Sequence, residues 1–401
     1  DVTVTFSVDK TETQLAGLRK IICDIEENES RNNSSAVFYL FSKALSISIT
    51  SADGWKNVER YAFTYDDKNA ELILRFSFTQ ADPSVTGFDP ALHGEGFDTQ
   101  WPVLRMMLNT YNAPVYAYSL LSDMLINRIR IRTDVKGMRK LSLYNSQGKL
   151  SSEKPFQPFG ALPVPGSFLL VGSSEAMNKN IQSLQLRFSW HDLPPEGFTE
   201  YYKGYPGEIT NASFTAGISL LQKGYFLPLR DEQQRVQLFY DAPTDHPERG
   251  IPVHPETVID KINVPALRHR ASWSIPKQQL IFGPETPDGF LKLELLTPPV
   301  GFGSAEYAPL LSSAILANSK TKKPQQLPRV PYTPVVSSIS LDYSAEFDSD
   351  VSPGEGVLPI GIFRHHPFGM DRVAIASSFR NIPLFQKLDN EGYLFIGISG
   401  L

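Results

Sequence analysis

Hydrophobic and polar residues alternate along several short stretches of the chain. Val2, Val4, Phe6 and Val8 are separated by Thr3, Thr5 and Ser7. The same period of two recurs at Leu45, Ile47 and Ile49, at Leu72, Leu74, Phe76 and Phe78, at Leu184, Leu186, Phe188 and Trp190, and at Ile339, Leu341 and Tyr343. Successive side chains of a strand point to opposite faces, so each stretch predicts a β-strand with one buried and one wet face. A helical period is rarer. Residues 11–28 open on a Thr11-x-x-Gln14 capping box and place Leu15, Leu18, Ile22 and Ile25 near a 3.6 spacing, which predicts a helix. A second helix is expected from Trp101-Pro102 through Leu104, Met107 and Leu108, resuming over 116–125 after Pro114, and a third over 305–316. The 27 glycines and 31 prolines fall between the alternating runs rather than in one tract. That punctuation predicts a mainly β protein with a few helices, of α+β class.

The order of features repeats along the chain. In the first half, the run at 72–78 leads through a Gly87-Phe88 loop to the helix expected near 102–110, then to Ile129 and Ile131, Pro158-Phe159-Gly160 and Gly166–Gly172. In the second half, Leu291, Leu293 and Leu295 lead through Gly301-Phe302-Gly303 to the helix expected near 305–316, then to Ile339 and Leu341, Pro367-Phe368-Gly369 and Gly392–Gly397. The triplets at 158–160 and 367–369 are 209 residues apart, too long a period for a solenoid. Two tandem, duplicated β-sandwich-like domains are therefore expected, over 1–200 and 201–401. The stretch 193–207 would join them, and 320–334 would be an extended exposed loop in the second.

Composition narrows the function. With 41% hydrophobic and 20% charged residues the chain is far from the disordered class, and no apolar run reaches the roughly 18 residues of a spanning helix. A net charge of −5 supplies no basic field for nucleic acid or an anionic membrane. The single cysteine, Cys23, cannot form an internal disulfide, so assembly in the cytoplasm is expected and the sequons at Asn28, Asn32, Asn33 and Asn211 read as chance. The chain opens on Asp1 rather than Met, which suits a piece of a longer protein.

Catalytic signatures fail in turn. The Gly-x-Gly pairs at 94, 301 and 354 lack the third glycine of a dinucleotide loop, and neither a Walker lysine nor a G-x-S-x-G elbow occurs. The seven histidines show no zinc spacing, and Asp348-x-Asp350-x-Ser352 has Pro353 and Pro359 where a calcium loop needs glycine and glutamate. The clusters His191, Asp192, Glu196, Glu200 and Asp241, Asp245, His246, Glu248 hold carboxylates that could do acid/base work, but surface loops produce such clusters routinely. The expectation is no enzyme, no cofactor and no metal.

The distinctive residues that remain are Phe156, Pro158, Phe159 and Gly160, with Pro367, Phe368 and Gly369. A tight turn over a core phenylalanine would use them this way. So would an exposed aromatic ridge that anchors a partner protein.

Four segments of the first half then carry a resemblance. They are Asp134–Leu150, Lys154–Gly160, Gly166–Gly172 and Trp190–Tyr205, the last ending Glu200-Tyr-Tyr-Lys-Gly-Tyr205, and together with Asp389–Gly397 the chain resembles the baseplate J-like wedge proteins of extracellular contractile injection systems, which are phage-tail-like particles. Members of that family are much longer. The resemblance implies a structural component in a sixfold setting, contacting other wedge, hub and sheath subunits, without cofactor or catalytic residue. A different class, a carbohydrate-binding or carbohydrate-active β-sandwich, would use the 4 Trp and 16 Tyr as stacking platforms.

Overall fold

Each alternating run forms a strand. The computed structural model describes residues 1–10, 45–66, 68–109, 121, 124–177, 179–222, 225–229, 235–262, 290–351, 360–366, 369–373, 381–385 and 393–398. In chain order the strands are β1 (Val2–Val8), β2 (Leu45–Ser51), β3 (Gly54–Asn57), β4 (Tyr61–Asp66), β5 (Glu71–Phe76), β6 (Val103–Leu108), β7 (Leu125–Met138), β8 (Ser142–Asn145), β9 (Gly148–Leu150), β10 (Phe168–Gly172) and β11 (Ile181–His191). They continue with β12 (Thr215–Gln222), β13 (Tyr225–Pro228), β14 (Val236–Gln237), β15 (Glu256–Ile262), β16 (Phe290–Thr297), β17 (Val335–Asp350), β18 (Ile360–His366), β19 (Gly369–Arg372), β20 (Ile382–Pro383) and β21 (Tyr393–Ile398). The protein is mainly β, and its one long described helix, Ser304–Ser319, covers the third expected helix.

The chain makes two units, one split (1–134 with 346–401) and one continuous (135–345). It passes between them within β7 and again within β17. The expected division at 200/201 is therefore not the one the fold makes. Residues 193–207 are no linker: Phe198, Tyr202 and Tyr205 are buried in the continuous unit, because three large rings so close in sequence repay burial more than exposure. The helix expected near 102–110 is strand β6. Leu104, Met106 and Leu108 satisfy a period of two as well as Leu104, Met107 and Leu108 satisfy a helix, and pairing with β2 on one side and β21 on the other decides for the strand. The first expected helix, 11–28, lies outside the described residues, as does most of 116–125. The loop 320–334 is exposed over most of its length, as expected.

In the split unit, β7, β1, β5 and β4 form an antiparallel set, with Val4 opposite both Leu74 and Ile131, and Phe6 opposite both Leu72 and Ile129. A second sheet runs β19-β18-β21-β6-β2-β3. Ile47, Leu104, Met106, Leu394 and Ile396 of this sheet close one core with the first set. Val103 and Phe395, sequence neighbours of these, and Phe363, next to Ile362 of the same core, point the other way and, with Phe88 and Phe97, make a smaller aromatic core, since a strand alternates its faces. The outward residues of β7, Arg128 and Arg130, pair with Asp348, and Arg128 also pairs with Asp350 at 3.8 Å. The acidic start of the would-be calcium loop is thus occupied by guanidinium groups.

Tyr61 fastens β4 to β2: its hydroxyl donates to the Leu45 carbonyl at 2.6 Å and accepts from the Leu45 N–H at 2.9 Å. Burial pushes its phenol up to about 12 from an ordinary value of 10.0. The unfolded chain loses this proton first, so the contribution of Tyr61 is complete below about pH 10 and disappears as pH rises toward 12. Tyr61→Phe is expected to flatten the alkaline fall in stability between those values. Denaturant midpoints at pH 9 and pH 11.5 check it, and an equal fall in both proteins would remove Tyr61 from the account.

In the continuous unit, β11 lies between β15 and the first part of β17, with Leu186 opposite Leu341 and Phe188 opposite Ile339. The other sheet runs β13-β12-β16-β10-β8-β9. Leu184, Leu186, Phe188 and Trp190 share one core with Ile218, Leu220, Leu291, Leu293 and Leu295 of that sheet, in a sandwich arrangement. Among the described residues no helix is long and apolar enough to cross a membrane.

Candidate functional site

The Phe156–Gly160 segment is built around a turn beside the start of β17. Phe156 exchanges two backbone hydrogen bonds with Val336, at 3.0 and 2.9 Å, and so forms a one-residue bridge to that strand. The turn closes with the Gly160 N–H donating to the Gln157 carbonyl at 3.3 Å. The Asn145 side-chain amide reaches the same carbonyl at 3.0 Å from the end of β8. Gly160 has φ +83°, the left-handed region, and a Cβ there would touch the Gln147 side chain at 3.3 Å, which is why glycine ends the triplet. Phe156 is 7% exposed and Phe159 3%. Both rings belong to the core of the continuous unit. An exposed aromatic ridge needs these rings at the surface, and the fold puts them inside. Of the second triplet, Pro367 and Phe368 lie outside the described residues. Gly369 opens β19 opposite His366, whereas Gly160 lies in no strand, so the two glycines have different settings.

Next to the turn the 190–205 segment builds the densest aromatic group of the unit. A short helix, Gly197–Tyr201, delivers Phe198, whose ring centre is 4.7 Å from Phe214, 4.9 Å from Phe239 and 5.2 Å from Tyr332. Phe214 in turn stacks on Phe302 at 4.4 Å. Rings at such distances gain from edge-to-face and offset contacts beyond the area they bury. The tyrosines at the margin turn their hydroxyls to backbone. Tyr202 donates to the Phe302 carbonyl at 3.0 Å and accepts from the Tyr332 N–H at 3.1 Å; Tyr205 donates to the Arg329 carbonyl at 2.7 Å, and Tyr201 to the Val330 carbonyl at 2.8 Å. Burial pushes the phenols of Tyr202 and Tyr332 well above their ordinary range, and that of Tyr205 up to about 12. Tyr201 and Tyr205 thus donate to the 320–334 arm and Tyr202 accepts from it, so the neutral phenols tie the arm down. Arg329 completes the tie with an ion pair to Glu196 and a guanidinium 5.2 Å from the Tyr201 ring centre.

Asn211 clamps the segment from below. Buried, it accepts the Phe198 N–H on Oδ1 at 2.9 Å and donates through Nδ2 to Asp241 Oδ1 at 2.8 Å and to the Ile251 carbonyl at 2.9 Å. A sequon asparagine with its amide spent this way serves the fold, as the chance reading of Asn211 requires. Sequence reasoning missed this role, since a buried polar clamp leaves no periodic trace.

Most carboxylates of the two clusters take partners outside them. Glu196 pairs with Arg329, Glu200 with Lys203 at 3.2 Å and Asp241 with Asn211, while inside the clusters His191 pairs with its neighbour Asp192 at 3.3 Å and His246 with Glu248 at 3.2 Å, both on exposed side chains. Among the described residues, no group of three His, Cys, Asp or Glu side chains is placed to hold a metal ion. Trp190 is buried and donates to the Thr257 hydroxyl at 2.8 Å, so that ring offers no stacking platform. Cys23 lies outside the described residues.

What the fold does bring together is the set of segments that carry the resemblance. Leu143 and Tyr144, Phe156 and Phe159, Leu169 to Val171, and Trp190, Phe198, Tyr202 and Tyr205 all enter the single core of the continuous unit. Of the last segment, residues 393–397 lie in β21 of the split unit, and 389–392 lie outside the described residues. No model of a known protein family matches the chain, and no curated protein matches it significantly.

Proposed function

We propose that the protein is a structural wedge component of the baseplate of a contractile, phage-tail-like injection particle. In that role it links hub or spike to sheath through protein–protein contacts with other wedge subunits around a sixfold axis, after assembly in the cytoplasm. The observation that carries the reading is the set of short motifs at 134–150, 154–160, 166–172 and 190–205, which resemble those wedge proteins and share one core. A tightly clamped β-sandwich suits a part that must transmit force without chemistry, because dense packing resists deformation. The same role needs no cofactor and no catalytic group.

Electron microscopy of particles purified through a tag on this protein tests the proposal. Antibody-bound gold is expected at one end of a sheathed tube, in the baseplate. Label spread along the tube, or a tagged protein that purifies without any particle, would overturn it.

A further inference from the structure

The Ser304–Ser319 helix stands on the continuous unit without being buried in it. Tyr307 and Leu310 lean on the core, yet none of its 16 residues is buried. Glu306 is its only charged residue, and 307–319 carries none. A surface helix ordinarily turns a charged face to water, and one that lacks such a face is ordinarily covered. Here the outward face holds Ala308, Ser312 and Ile315, spaced by four and three, with Leu316 beside them; Ile315 is 53% exposed and Leu316 59%. The arm that follows adds Leu327, 46% exposed. Asn318 holds this arm to the helix by accepting the Gln325 N–H at 2.7 Å and donating to the Gln325 carbonyl at 2.8 Å. At the same end Lys320, Lys322 and Lys323 are exposed, and none has an ion pair among the described residues.

The geometry points to this outward face as the docking surface for an amphipathic helix of another protein, one with an uncharged apolar stripe over Ile315 and Leu316 and acidic residues against the three lysines. A charge in the stripe opposite 307–319 would be buried without a partner. Ala308 and Ser312 are small enough for a second helix to approach closely. Apart from Pro309, which is exposed beside Ala308 and has no N–H to donate, the helix spends its backbone donors and acceptors internally, so an added strand would find no ladder here. The lysines at the rim then set the orientation of the partner by charge. This inference rests on the helix and the arm that follows it and stands whether or not the particle is a baseplate.

Photocrosslinking from the full chain in its native host tests it, with a benzophenone side chain in place of Ala308 and mass spectrometry of the joined peptides. The expected adduct is a helical segment of another protein with an apolar stripe and acidic residues beside it. Its yield should fall about tenfold with Leu316→Glu, as for loss of a central interface contact, and severalfold with Lys322→Glu and Lys323→Glu together. The replaced side chains are exposed, so the melting temperature should stay unchanged and exclude misfolding as the cause. Crosslinking to a second copy of this chain, to a segment without acidic residues, or to nothing would overturn the inference. So would a yield indifferent to Leu316→Glu, or sedimentation with phosphatidylserine vesicles that Leu316→Glu abolishes.

Discussion

Phe159→Ala is expected to destabilise the continuous unit by about 3–5 kcal/mol, the cost of deleting a core phenylalanine. The ring is 3% exposed and shares its core with Phe156 and the strands of both sheets. For a unit of this length the loss corresponds to a fall in melting temperature of about 6–20 °C. Domains are stable by only about 5–15 kcal/mol, so the variant would sit near the edge of folding at growth temperature. Thermal melting of the full chain followed by circular dichroism measures it. A melting temperature within about 1 °C of the parent, with particle assembly lost, would restore the anchor role that the burial of Phe159 argues against.

Gly197→Ala should be comparably severe, for a reason that its neighbour Gly204 isolates. Both glycines have positive φ, +77° and +94°, so alanine at either meets the left-handed penalty of about 1–2 kcal/mol. At Gly204 nothing lies within 4 Å of the added Cβ. At Gly197 the Cβ would lie 1.9 Å from the Ile251 carbonyl oxygen and 3.3 Å from Asn211 Oδ1. Backbone must move, and the moving groups are those Asn211 holds. Losing its bonds to the Phe198 N–H and the Ile251 carbonyl adds about 1–3 kcal/mol for each buried group left unpaired. Gly197→Ala is therefore expected to cost at least about 2 kcal/mol more than Gly204→Ala. Equal denaturant midpoints for the two variants would show that the Gly197 approach relaxes at no cost.

How much could be read in advance depended on whether a residue's fate is local. Strands β1, β2, β5, β11 and β17 were visible because alternation is a property of one strand and one core face. The helix at 304–319 was expected over 305–316, although none of its residues is buried and it shows no core-facing period. At β6 the spacing of Leu104, Met107 and Leu108 admits a helix while Leu104, Met106 and Leu108 admit a strand, and only pairing with β2 and β21, some 60 and 290 residues away, decides. Phe156 and Phe159 are apolar in either account, so their place in the core could be learned only from the fold. The clamp at Asn211 joins residues from 198, 241 and 251, a convergence with no signature in spacing.

The split of one unit around the other also sets an order of events at the ribosome. Residues 135–345 form a continuous stretch and hold all they need for their own core as soon as they have emerged. The first 134 residues, though made earlier, must wait. The second sheet of their unit has β21 between β18 and β6, so its central strand is supplied by residues 393–398. Until then β6 presents an open edge along Val103–Leu108, the kind of edge that pairs with whatever strand is near. A nascent chain stalled before residue 393 should thus carry a folded second unit and an unfinished, chaperone-dependent first one.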